Sequence, residues 1–487
     1  MKAKFRRYAT TFLLLFLPFF IAIEPATADQ IPFPEPANEN AYAVPLESVR
    51  LRLWAQYRVM YNASNIPSGV NSSSLPSPGN LTFGDTKSYD FFRQRMRLAF
   101  DIQPKDADNV GGYMQMEFRG GFGGSSPAAS DPRGEPGTFN PAGTANAFNR
   151  LQARGIRYGY IYVTPIENHT LVVGILPTLD QVGRVLWDGE WDFFAGGAAL
   201  GGKIGKADYR VGFYRIAANL QAAGIPDEGF SKNGDMWVVD LNRPFSIMGE
   251  EVKLGAHYYT LNLGKTANIN IGDTHENWMA LTASGPFFSK GAWNSYLMYN
   301  VGRIGTGVTG NNHKGYSAKF EGAVPIGPTT FNIFALYSSG DKEGEVNNQF
   351  TTPEAILGTN GYWGYTHIFN ANPPGDVNDF GTNLNNQGAG LWTVQGQLKF
   401  PIVPKLSGTL ESGYFASARS RAFDTKSGTT YMGTENGLMF TYNVAKNLNL
   451  DFGAAHAFMG GFLANATQVP GVERHIYEIF SRFQFAL

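Results

Sequence analysis

Residues 93–102 read RQRMRLAFDI, and the two faces of this stretch differ in character when it is drawn as an extended chain. One face carries Gln94, Met96, Leu98, Phe100 and Ile102. The other carries Arg93, Arg95, Arg97, Ala99 and Asp101. Because successive side chains of a β-strand point to opposite faces, this period of two predicts a strand with one apolar and one charged face. Residues 50–59 and 114–119 repeat the pattern, so the chain begins with three such strands.

The alternation continues to the C terminus, interrupted by stretches rich in Gly, Asn, Pro and Ser. Further strand candidates lie at 152–163, 168–177, 196–204, 207–216, 234–242, 251–261, 276–284, 290–300, 313–323, 329–338, 390–400, 405–415, 433–442, 447–457 and 474–485. The total is about eighteen, and an even number is what bacterial single-chain barrels have. The fold class predicted is all-β, a transmembrane antiparallel β-barrel. A soluble barrel of this size would enclose more volume than its side chains could fill.

The predicted connections alternate between short and long. Short turns are expected at 103–109, 164–167, 205–206, 323–328, 401–404 and 443–446. Long loops are expected at 62–90, 120–151, 178–195, 217–233, 301–312, 339–389, 416–432 and 458–473. This asymmetry is typical of outer-membrane barrels, with short periplasmic turns and long extracellular loops. The longest loop, 339–389, contains four aromatic residues between 362 and 369, and we expect it to cover the pore mouth or to fold into it.

The N terminus predicts export. Four basic residues precede the apolar run 11–23, and Ala26-Thr27-Ala28 supplies the small residues of a cleavage site before Asp29. The run is shorter than the ~20 residues that a membrane-spanning helix needs, and no later run is long enough. We therefore predict a cleaved signal peptide over 1–28, a periplasmic lead-in over 29–48 and an outer-membrane barrel over 49–487.

The composition excludes several kinds of chemistry. The chain has 0 Cys, which removes disulfides, thiol catalysis and iron–sulfur ligation by this chain. A net charge of -1 gives no bulk attraction to nucleic acid. The seven His residues are scattered, and neither G-x-S-x-G nor H-E-x-x-H occurs. We expect no enzymatic activity, no catalytic residue, no metal site and no cofactor.

Arginine is concentrated on the charged face of the first three strands and the last one. The predicted pore-lining, anion-attracting residues are Arg50, Arg52, Arg58, Arg93, Arg95, Arg97, Arg119 and Arg482, with Arg157 and Arg210 as extensions. Adjacent strands lie roughly 4.8 Å apart, so these guanidinium groups form one patch suited to carboxylates and phosphates. The alternative is that lumen charges pair among themselves, through the pore-lining acids Asp101, Glu117 and Glu478.

Two weaker patterns concern the other strands. Glu411, Glu435 and Asp451 fall on the lumen face, where they would oppose the arginines across the pore. Aromatic residues on the apolar face near strand ends are expected to form girdles at the membrane interfaces. These are Tyr158, Tyr160, Tyr162, Trp237, Tyr258 and Trp392.

The chain resembles the alginate-export type of outer-membrane porin in several short segments. They are RLRL at 50–53, FRQRMRL at 92–98, LVVG at 171–174, QVGR at 181–184 and FY at 213–214. The resemblance implies a monomeric barrel with the same number of strands and an arginine-rich pore. Some members of that family export an acidic polysaccharide.

The function predicted is an outer-membrane pore, or porin, for small polar or anionic solutes. One alternative is an exporter of an acidic, alginate-like polysaccharide. Another is a barrel sheath around a periplasmic electron-transfer partner, whose haems would belong to that partner because this chain has no C-x-x-C-H. The partners expected are outer-membrane lipid, lipopolysaccharide, the transported solutes and the barrel-assembly machinery, which reads an aromatic last strand such as 477–487.

Overall fold

The computed structural model describes residues 42–45, 48–65, 89–107, 109–122, 152–188, 193, 195–217, 234–263, 271–287, 290–306, 309–342, 345, 347–353, 356, 363–370, 372, 374, 382–421, 429–462 and 475–486. The strands are β1 Tyr42–Pro45, β2 Val49–Ser64, β3 Tyr89–Pro104, β4 Val110–Phe122, β5 Gln152–Ile166, β6 His169–Leu176, β7 Ala195–Ile204, β8 Ala207–Ala217, β9 Gly234–Ile247, β10 Glu250–Leu263, β11 Ile271–Phe287, β12 Gly291–Thr306, β13 Thr309–Ile326, β14 Thr329–Ser338, β15 Leu391–Val403, β16 Leu406–Arg421, β17 Thr429–Ala445, β18 Leu448–Met459 and β19 His475–Ala486. A short 3-10 helix spans Asn386–Gly388.

Strands β2 to β19 form a closed antiparallel barrel of eighteen strands. Each strand pairs with its neighbours in the chain, and β19 returns to pair with β2, from Glu478 opposite Ser64 to Ala486 opposite Gln56. The predicted fold class is therefore confirmed. The short strand β1 pairs with the part of β2 that lies beyond the end of β19. Within the described ranges, no helix is long and apolar enough to cross a membrane.

The two ends of the barrel differ in the length of their connections. At one end, from the β3–β4 turn to the β17–β18 turn, strands are joined by two to five residues. At the other end lie the long connections, including 177–194 and 339–390. The expected long loop 301–312 is wrong, because β12 runs to Thr306 and β13 begins at Thr309. Gly305 pairs directly with Gly310. The hydrogen-bonded pairing of β12 with β13 therefore continues through a stretch whose composition resembles that of a loop.

The barrel has an apolar outer face. Leu297 is 67 % exposed and its neighbour Tyr296 only 2 %, and the same alternation runs along the other strands. On β19 the outward positions are Tyr477, Ile479, Phe483 and Phe485, as the sequence predicts. Apolar side chains on the outer surface and polar side chains inside are the reverse of a soluble barrel, and this distribution is typical of strands that meet lipid.

The hydrophobic core lies inside the barrel and is supplied partly by two connections that fold inward. Leu186 and Trp187 of the 177–194 connection are fully buried, and so are Phe350 and Phe369 of the 339–390 connection. They pack against inward-facing side chains such as Trp278. The described part of 339–389 thus folds into the barrel, one of the two arrangements predicted for this loop.

Candidate pore lining

Inward arginines of β2, β3, β5 and β19 form a continuous surface, here called the basic wall. Its described members are Arg50, Arg52, Arg58, Arg93, Arg95, Arg97, Arg157 and Arg482. Arg58 lies directly opposite Arg95 across the β2–β3 ladder. Arg119 of β4 lies opposite Arg95 on the other side, although its side chain is outside the described residues. Pairing in register brings together arginines that are 37 and 24 positions apart in sequence.

Neutral side chains orient the central arginines. Arg95 Nη2 donates to Gln56 Oε1 at 2.9 Å, and Arg93 Nη2 lies 3.8 Å from the sulfur of Met60. Arg58, Arg93 and Arg95 are each no more than 5 % exposed. The hydrogen bond from Arg95 to Gln56 fixes the direction of its guanidinium group, and a positive charge acts over roughly 8 Å at physiological salt.

Carboxylates neutralise part of the basic wall. Arg97 Nε lies 2.6 Å from Glu117 Oε2, Arg482 Nη2 lies 2.7 Å from Asp451 Oδ2, and Arg52 Nε lies 3.9 Å from Asp101 Oδ2. The fourth acid, Glu478, accepts from Asn62 Nδ2 at 3.1 Å. Among the described side chains, eight arginines thus face four carboxylates, an excess of four positive charges. Arg157 also lies 4.0 Å from Glu117, so carboxylates neutralise part of the wall while arginines outnumber them on it.

The tyrosines of β5 also face the interior, so their assignment to a lipid-facing girdle is wrong. The register between β4 and β5 shifts twice, at residues 154 and 157, which are extra on β5, and Gly155 adopts a φ of +105°. Each extra residue reverses the parity, so Ile156 faces outward and Tyr158 faces inward. As a result Tyr162 donates to Asp101 at 2.9 Å, and Tyr160 packs against Tyr113. Trp237 and Trp392 are outward, as predicted.

Arg210 does not extend the basic wall as predicted. It lies on β8, where its Nε is 2.6 Å from Asp240 Oδ2 and its Nη2 donates to the carbonyl of Leu179 at 2.7 Å. Tyr259 also donates to Asp240, and its hydroxyl accepts from the Gln181 N–H. Arg210 is thus committed to holding the 177–194 connection against the wall.

Asp180 organises the 177–194 connection from within. Its carboxylate accepts from the backbone N–H groups of Val182, Arg184, Leu186 and Trp187, at 2.6–3.2 Å. Burial raises the pKa of the Asp180 carboxyl, and the four N–H donors act in the opposite direction. A connection with its backbone tied to one carboxylate keeps a fixed shape inside the barrel.

The longer connection, 339–390, is held by carboxylates of β16 and β17 that point into the barrel. Glu435 of β17 accepts the N–H groups of His367, Ile368 and Phe369, at 2.7, 2.7 and 2.8 Å. Phe369 stacks on Phe415 with a centroid distance of 4.3 Å. The expected acidic wall opposite the arginines is therefore wrong. Glu435 is used by the loop, and its strand is separated from β2 only by β18 and β19.

His367 forms the second link between this connection and the wall. Its Nε2 lies 2.8 Å from Glu411 Oε1, and both side chains are 2 % exposed. Burial alone lowers the pKa of His367, but the negative charge of Glu411 outweighs it and raises that pKa to about 9. The imidazole is therefore protonated at neutral pH, and it forms an ion pair with Glu411.

Sequence reasoning missed these loop anchors and one contact between histidines. The anchors Glu435 and Asp180 carry no motif, although an inward carboxylate beside a long aromatic loop is a usable signal. His456 and His475 were expected to be scattered, yet pairing of β18 with β19 places Nε2 of the first 3.1 Å from Nδ1 of the second. Among the described residues, no group of three His, Cys, Asp or Glu could hold a metal ion.

No family model matches the chain, and no curated protein matches it. Solved structures do match over 90 % of this chain and 98 % of theirs. One is OccAB2 of Acinetobacter baumannii, at a TM-score of 0.55 and 11 % identity. OpdK of Pseudomonas aeruginosa, solved with vanillate, has a TM-score of 0.53 and 12 % identity. OccK2 (OpdF) of the same organism, solved with glucuronate, has a TM-score of 0.51 and 12 % identity.

These structures share the architecture described above, a closed barrel of eighteen antiparallel strands. The chain therefore has the fold of an outer-membrane porin, a fold that lies in the outer membrane of Gram-negative bacteria. At this level of identity the similarity establishes the fold alone. The solutes that pass must be inferred from the residues inside the barrel.

Proposed function

We propose that the chain is an outer-membrane pore for small anionic solutes, which pass along the basic wall. The observation that carries this proposal is the excess of arginines over carboxylates on β2, β3, β5 and β19. A charged lining in a narrow aqueous path sets the sign of the ions that pass. Carboxylates suit this lining because a guanidinium group can donate two parallel hydrogen bonds to them. No enzymatic activity is proposed.

Two features favour small carboxylates over a polymer. Both inward connections pack aromatic side chains inside the barrel, which narrows the path that a polysaccharide chain would need. The solved relatives OpdK and OccK2 were crystallised with vanillate and glucuronate, and each of these solutes has one carboxylate. Export of an acidic polysaccharide, as in the alginate-export type, and a sheath around an electron-transfer partner would each need a more open lumen.

The proposal includes placement and assembly. Residues 1–28 would direct export and then be cleaved. Residues 29–48 would lie in the periplasm, and the barrel of 49–487 would lie in the outer membrane. The short turns would face the periplasm and the long connections the outside. Lipid and lipopolysaccharide would surround the apolar outer face, and the barrel-assembly machinery would recognise the aromatic β19.

The test is the reversal potential of single channels in a salt gradient. Replacing Arg93, Arg95 and Arg97 together with Gln removes three positive charges and keeps hydrogen-bonding groups. We expect the wild-type pore to prefer anions and the triple variant to shift toward cations, since changes on the lumen face tune selectivity more than stability. A matched control is Arg215→Gln, which removes an arginine from the outer face beside Asp235.

The control should leave the reversal potential of the wild type unchanged. A wild-type pore that prefers cations, or a triple variant with an unmoved reversal potential, would contradict the proposal. Accessibility of a tag tests the topology independently. A tag in 339–389 should be reached from outside intact cells, and a tag in 401–404 should not.

A further inference from the structure

A cavity of about 470 Å³ lies at strands β12–β15. Its lining on the outer face includes Leu297, Ala318, Phe320, Ala335, Tyr337 and Trp392. Leu297, Ala318, Tyr337 and Trp392 are neighbours in one row across the four strands, and Phe320 and Ala335 are neighbours in the row below. The two alanines therefore leave a groove between large apolar side chains, with its open side toward the surroundings of the barrel.

Basic side chains and one histidine lie on the same outer face, nearer the end with the long connections. His275 of β11 lies opposite Arg303 of β12, and Lys314 of β13 is the diagonal neighbour of Arg303. Diagonal neighbours in an antiparallel pair are roughly 7–8 Å apart, which allows both side chains to reach one anion. Among the described residues, neither Arg303 nor Lys314 forms an ion pair.

The cations, the aromatic residues and the groove are stacked in order along the strands. On β13 the outward positions are Lys314, Tyr316, Ala318 and Phe320, so Lys314 lies about 14 Å above the groove at 3.4 Å per residue. Between them lie Tyr316 and its partner Tyr299, which are 54 % and 40 % exposed. Aromatic residues occupy the membrane interface, so the cations lie at the level of lipid headgroups and the groove at the level of acyl chains.

We propose that this surface, here called the rim groove, binds a phosphorylated, acylated lipid of the outer leaflet, of the lipid A type. Arg303 and Lys314 would bind its phosphate, with His275 beside them, and one acyl chain would lie along Ala318 and Ala335. The proposal rests on the outer-membrane placement proposed above. A phosphate satisfies the two cations, whereas a second copy of the chain on the same surface would bring like charges together.

The experiment uses the full chain, purified in detergent, and measures retention of added lipid A by native mass spectrometry. Phosphatidylglycerol is titrated in a parallel arm, because it offers a phosphate and acyl chains without the sugar backbone of lipid A. The double variant Arg303→Gln/Lys314→Gln should retain lipid A about tenfold more weakly, since each basic residue near an anionic lipid surface contributes to binding. Ala335→Trp, which fills the groove, should also weaken retention.

Arg243→Gln is the matched control, since Arg243 shares the outward face of β9 with Trp237 but lies toward the short-turn end. It should retain lipid A like the wild type, and all variants should remain heat-modifiable barrels. Their reversal potentials should equal that of the wild type, which separates this site from the pore itself.

Three results would overturn the proposal. The first is equal retention of lipid A by the wild type and the double variant. The second is equal retention of phosphatidylglycerol and lipid A by the wild type, which would mean that any anionic lipid suffices. The third is a wild-type oligomer in lipid-free detergent that Ala335→Trp converts to monomer, which would make the surface an interface between copies.

Discussion

The basic wall and the wall formed by β16 and β17 both place ionisable side chains inside the barrel, but they use them differently. On the basic wall, Arg95 is oriented by a neutral partner, Gln56. On the second wall, Glu435 accepts three backbone N–H groups of an inward loop, and Glu411 forms an ion pair with His367. On the first wall the described arginines outnumber the carboxylates, whereas the carboxylates of the second wall bind the loop.

Charged residues inside this barrel therefore have two different roles. An inward charge close to a partner in a connection holds that connection in place, whereas the proposed function assigns the surplus of arginines on the basic wall to solutes. Arg210, which donates to the carbonyl of Leu179, belongs to the first kind, and Arg95, which donates to Gln56 on the neighbouring strand, belongs to the basic wall.

Removal of the long connection should have the largest effect on conductance. Ser338 and Leu391 are directly paired, so a short Asn-Gly turn can replace 340–389 and join β14 to β15. We expect single-channel conductance to rise several-fold, because the aromatic side chains that occupy the interior of the barrel beside β16 and β17 would be removed. An unchanged conductance in a variant that is still heat-modifiable would mean that the connection does not narrow the path.

Glu435→Gln should loosen the same connection without removing it. Loss of hydrogen bonds to a charged group costs about 1.5–3 kcal/mol, so opening of the loop becomes roughly tenfold more frequent or more. Limited proteolysis within 339–389 measures this opening. The matched control is Asp451→Asn on the neighbouring strand, since Asp451 contacts Arg482 and Thr441 instead of the loop. Equal cleavage of both variants would contradict a specific anchor at Glu435.

The ion pair of His367 predicts a dependence on pH. The pKa of His367 is raised to about 9, against about 6.5 in an unfolded chain, so its contribution is complete below pH 6.5 and is lost as the pH rises through 9. Glu411, Glu435, Glu478 and the ring of Phe480 surround it. Proteolysis within 339–389 should therefore increase between pH 8 and 10 in the wild type.

His367→Gln supplies the control for that titration. The protease should cleave this variant faster than the wild type at pH 7. Between pH 8 and 10, the rate of cleavage of the variant should change only as much as the activity of the protease itself changes. A wild type with a flat profile would show that the ion pair does not hold the loop.

The smallest effect is expected at the edge of the basic wall. The Arg52 side chain is 46 % exposed and lies 3.9 Å from Asp101, and exposed pairs contribute about 0–1 kcal/mol to stability. Arg52→Gln should therefore leave the unfolding temperature of the barrel nearly unchanged. Arg97→Gln should lower it more, because the Glu117 carboxylate at 2.6 Å is buried. An equal decrease of the unfolding temperature in the two variants would contradict the distinction between the exposed edge of the basic wall at Arg52 and its buried centre at Arg97.

Much of this barrel could be predicted from local patterns. The period of two placed all eighteen strands, because a strand with lipid on one side and a polar interior on the other must alternate along its length. The same parity located the inward arginines of β2, β3 and β19, since those strands run without a bulge through the residues concerned. Composition also indicated the inward fold of 339–389, through aromatic residues that a wholly exposed loop would not need.

Tertiary structure alone decided how the interior charges are used. Two register shifts in β5, the second at Arg157, turned Tyr160 and Tyr162 inward, and parity cannot detect an inserted residue. The partners of Arg210, Glu411 and Glu435 come from connections or strands distant in sequence, so no local spacing marks them. On strands without a bulge, the amino-acid sequence determined which side chains face the interior, because strand geometry is local. Only the folded chain determined the partners of those charges, because each pairing depends on groups brought together by closure of the barrel.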